Sequence, residues 1–389
     1  MSSPLATLAA AIRIPKAFVF DASIGRASIA LAISSLNVIS SILIYQVYTS
    51  QTTIVNPRWY TVIVDTIFIS IASCKEEFLA QTIKSAIANA KNPELLYFGI
   101  SNMVIDPEDF LSDPIFDMPN INYIDIKHKE PLGTGFGRMT ASLMADRQHK
   151  YFLQVDAHNI FEKNWDETVK EYYTKLLDVC EKPIITTCPL RWVEGPNNEV
   201  LLFDNKSKEV DPYDFKTTYT NPSISIKIIN NINHKNKRIK YAYVEGIGYD
   251  WKDSEWYTEH SLIFAAFVFT DFAYVREILH DPLNPWDGDQ TNMSFRAGTR
   301  GYRMFSVKDC FIWTKDKIRR GSIISKDDWR RKKCMDIRSF YIPFAPYFQS
   351  KMFSGEYLGY WGAPTIESIK QYNDRLGIDL SEFFTETTL

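Results

Sequence analysis

A chain of 389 residues with 45% hydrophobic and 23% charged residues has the composition of a folded protein of one large domain or two ordinary ones, which excludes a disordered chain. Its formal net charge of -3 gives no general electrostatic reason to expect a nucleic-acid partner. Five cysteines (Cys74, Cys180, Cys188, Cys310 and Cys334) are odd in number and lack zinc-ribbon or CxxC spacing, which argues against a disulfide framework or a structural zinc.

The chain divides into an N-terminal segment, residues 1–60, and a main domain, residues 61–389. Within the first, Ala27–Thr49 carries no charged residue and is long enough to cross a bilayer, which takes about 20 apolar residues. Arg13, Lys16 and Arg26 precede it, which would keep the N-terminus cytoplasmic. Ser34, Ser35, Asn37, Ser40, Ser41 and Gln46 dilute its hydrophobicity. A membrane anchor is the expectation; the alternative is a helix docked on the main domain or another protein, in a cytoplasmic chain.

Thr61–Ile71 is a β-branched run expected of a parallel strand buried on both faces. Residues 72–75 are read as a turn, followed by a helix from Glu76 to Ala90 that Asn92-Pro93 stops. Leu95–Ile100 and Tyr123–Ile126 are further strands. A glycine-rich turn between Pro131 and Gly137 leads into a helix through Met139, Leu143 and Met144. Tyr151–Val155 is another buried strand and ends directly at Asp156. Gly195 to Asp250, rich in Asn, Lys, Asp and Tyr, reads as an inserted hairpin or lid at about 195–250. Glu259–Thr270 returns to buried-strand character, and helices follow over Asp271–Leu279 and Thr291–Arg296. Alternating strands and helices with short connections predict an α/β fold with a mixed, mostly parallel central sheet. In such sheets ligands bind beyond the carboxyl ends of the strands, where Ser73, Gly135 and Asp156 fall.

Asp156-Ala157-His158 is the chemically suggestive tripeptide. Residues two apart in an extended chain point to the same side, so a carboxylate and an imidazole here can reach one Mn²⁺ or similar divalent cation. Alone, the tripeptide also fits a turn-forming Asp beside a solvated His. Around it stand Ile69, Ser70, Ala72 and Ser73 in FISIAS, then Gly133 and Arg138. The block Leu153, Gln154, Asp156, His158, Phe161, Trp165 and Asp166 comes next. Ala266–Phe269, Trp286-Asp287-Gly288-Asp289-Gln290, Gly301-Tyr302, Tyr357-Leu358-Gly359 and Ser368–Ile378 follow.

In this order the blocks resemble the polypeptide α-N-acetylglucosaminyltransferases, which glycosylate hydroxyproline or threonine and are related to the mucin-type GalNAc transferases. The resemblance runs from about Thr66 to Phe384. It implies a nucleotide-diphospho-sugar transferase (GT-A-like) fold, a UDP-sugar donor, a protein or glycan acceptor, Mn²⁺ dependence and retention of anomeric configuration. It further implies that Asp156 and His158 hold the metal, and that Ser70, Ala72, Ser73, Asn102, Arg138 and Asp156 form the nucleotide-sugar site. Asp289 and Gln290 would be catalytic residues beside the transferred sugar, and Trp286 would face the acceptor. Asp289 reads equally as an N-cap of the following helix. The family's third metal ligand, a histidine, falls here on Thr314, with His260 as the nearest substitute. Two other readings use the same residues: a catalytically weakened anchoring protein on this scaffold, and an inverting enzyme with Asp289 as general base.

Overall fold

The computed structural model describes residues 65–377, apart from 75, 105–111, 128–132, 146–148, 195–199, 203–221, 235–236, 249–251, 253, 261, 283–287, 316–348 and 350. The apolar run at Ala27–Thr49, Trp286 and Cys334 lie outside these residues. Among them, no helix is long and apolar enough to cross a membrane. Cys74, Cys180, Cys188 and Cys310 are free thiols.

The main sheet has eight strands. β1 (Ile67–Cys74), β2 (Leu96–Val104), β3 (Ile121–Lys127) and β4 (Tyr151–Asp156) come first in the chain. β6 (Pro183–Thr186), β11 (Tyr257–His260), β12 (Phe267–Asp271) and β13 (Arg303–Val307) complete it, in the order β11-β13-β6-β12-β4-β1-β2-β3. β1 runs parallel to β2 and β4, and β2 parallel to β3, while β12 is antiparallel to β4 and β6. The architecture is therefore α/β with a mixed, mostly parallel central sheet, as the alternation predicts. β5 (Asn159–Phe161), β7 (Leu190–Glu194), β8 (Val200–Leu202) and β14 (Ile312–Lys315) form a second sheet in the order β5-β14-β7-β8. β9 (Pro222–His234) and β10 (Lys237–Gly248) form a separate antiparallel ribbon inside the stretch read as a hairpin or lid.

Helices cover both faces, which is why the central strands need apolar residues in both alternating sets. Ile67, Ile69 and Ile71 of β1 share one core with Leu79, Ile83 and Ala86 of α1 (Leu79–Asn89) and with Trp165, Val169 and Leu176 of α3 (Trp165–Leu177). Phe68, on the opposite face, joins Phe152, Tyr274 and Met293 in a second core. On that side α2 (Thr134–Ser142) lies so close to the sheet that a Cβ on Gly99 would stand 2.3 Å from the Ala141 carbonyl oxygen. Ser70 reaches across the same contact to Ser142, with 3.1 Å between hydroxyl oxygens. α4 (Ala273–Glu277) and α5 (Asp289–Gly298) follow β12, and α6 (Ile366–Leu376) packs Ile369 and Tyr372 against Phe295 of α5.

Three boundaries differ from the sequence reading. Residues 72–74 continue β1 instead of turning, because Ala72, Ser73 and Cys74 pair in register with Ser101, Asn102 and Met103 of β2. Gly135 and Gly137 lie within α2, whose N-cap is Gly133 at φ 88°. Gly137 suits a helical position there because a Cβ would press within 3.1 Å of the Ala72 Cβ. The run Glu259–Thr270 is two strands with an irregular piece between them. Side chains take over its backbone: Ile263 N donates to Ser294 Oγ, Phe264 N to Thr186 Oγ1, and Ala265 N to Gln290 Oε1.

Candidate active site

Strand order places β4 on one side of β1 and β2 on the other, so the chain reverses its direction of sheet growth at β1. Such a switch point opens a crevice at the carboxyl ends of the strands. The register brings the predicted residues to that edge: Ala72 is the pairing partner of Asp156, and Ser73 that of Asn102. Asn102 in turn pairs with Asp125 of β3, donating from Nδ2 to Asp125 Oδ1 at 2.9 Å. Tyr123 donates its hydroxyl to the same carboxylate oxygen at 2.6 Å, and burial together with this carboxylate raises the phenol's pKa above its ordinary value. Ser73 Oγ is buried and has no hydrogen-bond partner among the described residues.

Arg138 is the centre of charge. It projects from α2 and donates from Nη2 to Asp156 Oδ1 at 3.0 Å and from Nη1 to Asp289 Oδ2 at 2.6 Å. One guanidinium thus spans the end of β4 and the start of α5, with side chains of Arg138 and Asp289 only 10% and 8% exposed. Two donors held apart on one planar, permanently charged group suit this bridge between two carboxylates. Asp289 is the first residue of α5, and the N-cap is Gly288 without a side-chain capping bond. The carboxylate lies at the positive end of the helix dipole and accepts from Arg138, while the N-cap position belongs to Gly288.

Gln290 accepts from Ala265 N at 2.8 Å, and Gln154 Nε2 donates to Ala265 O at 2.7 Å. The two glutamines therefore clamp the irregular strand between β4 and α5, and Gln290 acts here through geometry. Gln154 Oε1 then faces Nε2 of the buried His280. Ser70 belongs to the contact between sheet and helix described above. Trp165 donates to Ala86 O at 2.9 Å, and Asp166 accepts from the backbone of Lys91 and Asn92 at 2.7 and 2.9 Å. The Trp-Asp pair downstream of the tripeptide thus locks α3 to the end of α1 and stays out of the crevice.

His158 follows the end of β4. Its Nδ1 lies 3.0 Å from Glu76 Oε2, and its Nε2 is buried without a hydrogen-bond partner among the described residues. An imidazole nitrogen without a partner, two residues along the chain from the Asp156 carboxylate, is a donor type that suits a divalent cation. Glu76 has no family motif to announce it, and only the 82-residue approach of the two side chains reveals it. Thr314 pairs in register with Asn159, the next residue after His158, so the position read as the third ligand does adjoin the tripeptide. His260 does not replace it. Its Nε2 is held by Ser306 Oγ at 3.0 Å on β13, beyond β6 and β12 from β4. Among the described residues no group of three or more His, Cys, Asp or Glu converges as a metal cage.

Comparison with known proteins gives one family. The profile described as Glycosyltransferase (GlcNAc) matches residues 66–118 and 108–320, well over half of the 389 residues. No curated protein sequence matches the chain. Among solved structures, GalNAc-T7 with UDP, GalNAc and Mn²⁺ is similar at 13% identity and a TM-score of 0.44, covering 85% of this chain and 57% of that one. TarS 1–349 of S. aureus in complex with UDP-GlcNAc is similar at 11% identity and a TM-score of 0.36, covering 65% of this chain and 59% of that one. The chain thus spans less than two thirds of the length of either solved chain.

Proposed function

Because the chain belongs to the glycosyltransferase family described by the GlcNAc profile, we propose that it moves a sugar, GlcNAc foremost, from a UDP-sugar to a hydroxyl of a protein or glycan, with a divalent cation and with retention of configuration. The observation that carries this reading is Arg138 joined to both Asp156 and Asp289 at the carboxyl edge of the sheet, with His158 two residues after Asp156 in the chain. Asp156 and His158 would hold Mn²⁺, which when bound neutralises charge on the leaving diphosphate. Ser73 and Asn102 are suited to the nucleotide, and Arg138 to the charge that grows on the phosphate as the bond to the sugar breaks.

The engagement of Asp289 by Arg138 supports retention over the inverting reading. Its Oδ2 takes a charge-assisted hydrogen bond from Arg138 at 2.6 Å, so it is engaged as a partner of the guanidinium and is poorly suited to be a free general base. The acceptor hydroxyl then attacks the anomeric carbon on the face the diphosphate leaves, and its proton passes to a leaving phosphate oxygen. The sugar–phosphate bond breaks as the new glycosidic bond forms, and no separate base is needed. The polypeptide-directed subclass, an acceptor held by Trp286 and the 195–250 insertion, and a membrane anchor at Ala27–Thr49 complete the proposal.

Titration of the full chain with UDP, with and without Mn²⁺, tests the reading. Uptake of UDP that depends on Mn²⁺ and is lost in Asp156→Ala is the expected result. A screen of UDP-sugars for Mn²⁺-dependent hydrolysis identifies the donor, and the anomeric configuration of the product separates retention from inversion. Thr314 at the third-ligand position favours one competing reading, a scaffold with weakened catalysis. Absence of Mn²⁺-dependent UDP binding, with Asp156→Ala indistinguishable from the wild type, would establish it.

A further inference from the structure

Building on the donor-site reading above, we propose that Glu76 is the positioning residue of the metal centre. It holds the neutral His158 ring as the Nδ1–H tautomer, so that Nε2 is the nitrogen left to bind a metal. This fixed ring supplies ordering that a third protein ligand would give where the chain has Thr314.

Glu76 Oε2 stands 3.0 Å from His158 Nδ1, and the two side chains are only 12% and 9% exposed. A carboxylate has no proton to give at that distance, so Nδ1 is the donor, and in the neutral ring this leaves the lone pair on Nε2. A carboxylate behind a ligating imidazole fixes tautomer and ring orientation and raises the ligand's basicity. The backbone around the ring is held as firmly. The His158 carbonyl accepts from Trp192 Nε1 at 3.1 Å and from Lys315 N at 3.0 Å. Asn159 N donates to Thr82 Oγ1 and Phe161 N to Ser85 Oγ, which ties the segment after His158 to α1. Glu76 precedes α1 and its own carbonyl accepts from Leu79 N, so the pair is built from two ends of one rigid helix contact.

Among the described residues, His260 and His280 also have a buried ring nitrogen with no hydrogen-bond partner. Their second nitrogens face a serine hydroxyl and a glutamine amide, both neutral. Only His158 among these three combines a bare nitrogen, a carboxylate behind the ring and a position at the strand ends.

The test uses the full chain with ¹⁵N-labelled histidine, in which His158→Gln assigns the His158 resonances, together with Mn²⁺ titration in the presence of UDP followed by electron paramagnetic resonance. In the wild type the His158 signal is expected to report the Nδ1–H tautomer. In Glu76→Ala it becomes a tautomer mixture, and Mn²⁺ affinity falls about 10–100-fold. Glu76→Gln, whose amide oxygen still accepts from Nδ1–H, keeps the tautomer and most of the affinity. A wild-type signal that is Nε2–H or mixed overturns the proposal, whatever the variants do. Equal loss of Mn²⁺ in the Gln and Ala variants with an unchanged tautomer also overturns it, because Glu76 would then be a ligand. A wild type that takes up no Mn²⁺ with UDP ends the donor-site reading, whereas wild-type uptake left intact by Glu76→Ala ends this proposal alone.

Discussion

At the scale of single residues, the site depends on charges that neutralise one another while buried. Removing Arg138 leaves Asp289 buried without this partner, and breaking a buried pair from one side costs about 3–5 kcal/mol. Arg138→Met is therefore expected to lower unfolding free energy by that order in urea titrations. Adding Asp289→Leu to it should restore much of the loss, because the buried carboxylate that Arg138 served is gone. Two histidines set an acid limit. Burial depresses the His280 pKa well below its ordinary 6.5, and burial brings His260 to about 4. Between 6.5 and 4 the unfolded chain binds protons that the folded chain refuses, so stability is full above that window and is lost as pH falls through it. His260 sits in a partly exposed residue with a sealed Nδ1. Its share is accordingly set at about 1–2 kcal/mol between pH 7 and pH 5. His260→Gln, able to donate to Ser306, should flatten that part of the profile in denaturant titrations at the two pH values.

Secondary-structure elements explain what could be read beforehand. The β-branched run at β1, the apolar run at β4 and the helical spacing of Leu79 and Ile83 are local signals, and they identify the sheet and its carboxyl edge. Asp156 was legible because it follows an apolar strand directly. Glu76 was not, since its meaning lies in a side chain 82 positions away. Gln290 was read as catalytic by its place in a motif, while its side chain holds the backbone at Ala265. Trp165 and Asp166 carry the same lesson: a motif preserves residues that build a site as well as those that line it. The close approach of α2 to β2 yields a prediction of its own. Gly99→Ala would put a methyl 2.3 Å from the Ala141 carbonyl oxygen, and the strain of such overpacking is about 1–3 kcal/mol. Thermal unfolding of the variant checks it. At the far end, Thr365→Ala removes the capping box of α6 and should cost about 1 kcal/mol by the same measurement.

Across the whole domain, the helix that begins with Asp289 is held between two cores. Met293 and Ala297 of α5 face the core shared with Phe152 and Tyr274, while Phe295 faces Met352, Phe353 and Tyr372. Arg296 and Arg300 fasten the same helix to the carbonyls of Gly359, Tyr360 and Gly362. Tyr372→Ala, remote from the crevice, is therefore expected to destabilise the domain by about 3–5 kcal/mol. It should also weaken UDP binding by loosening α5, measured by calorimetry at a temperature where the variant stays folded.

That fastening also sets an order of events during synthesis. Arg296 leaves the ribosome 64 residues ahead of the Tyr360 carbonyl that receives its Nε. At roughly 5–20 residues per second the interval is on the order of 3–13 seconds. For that time a guanidinium destined for full burial stays hydrated and α5 lacks its outer wall. The nascent chain can assemble its parallel strands early, but the helix that begins with Asp289 gains its outer support only when the residues around Tyr360 and Tyr372 have been made.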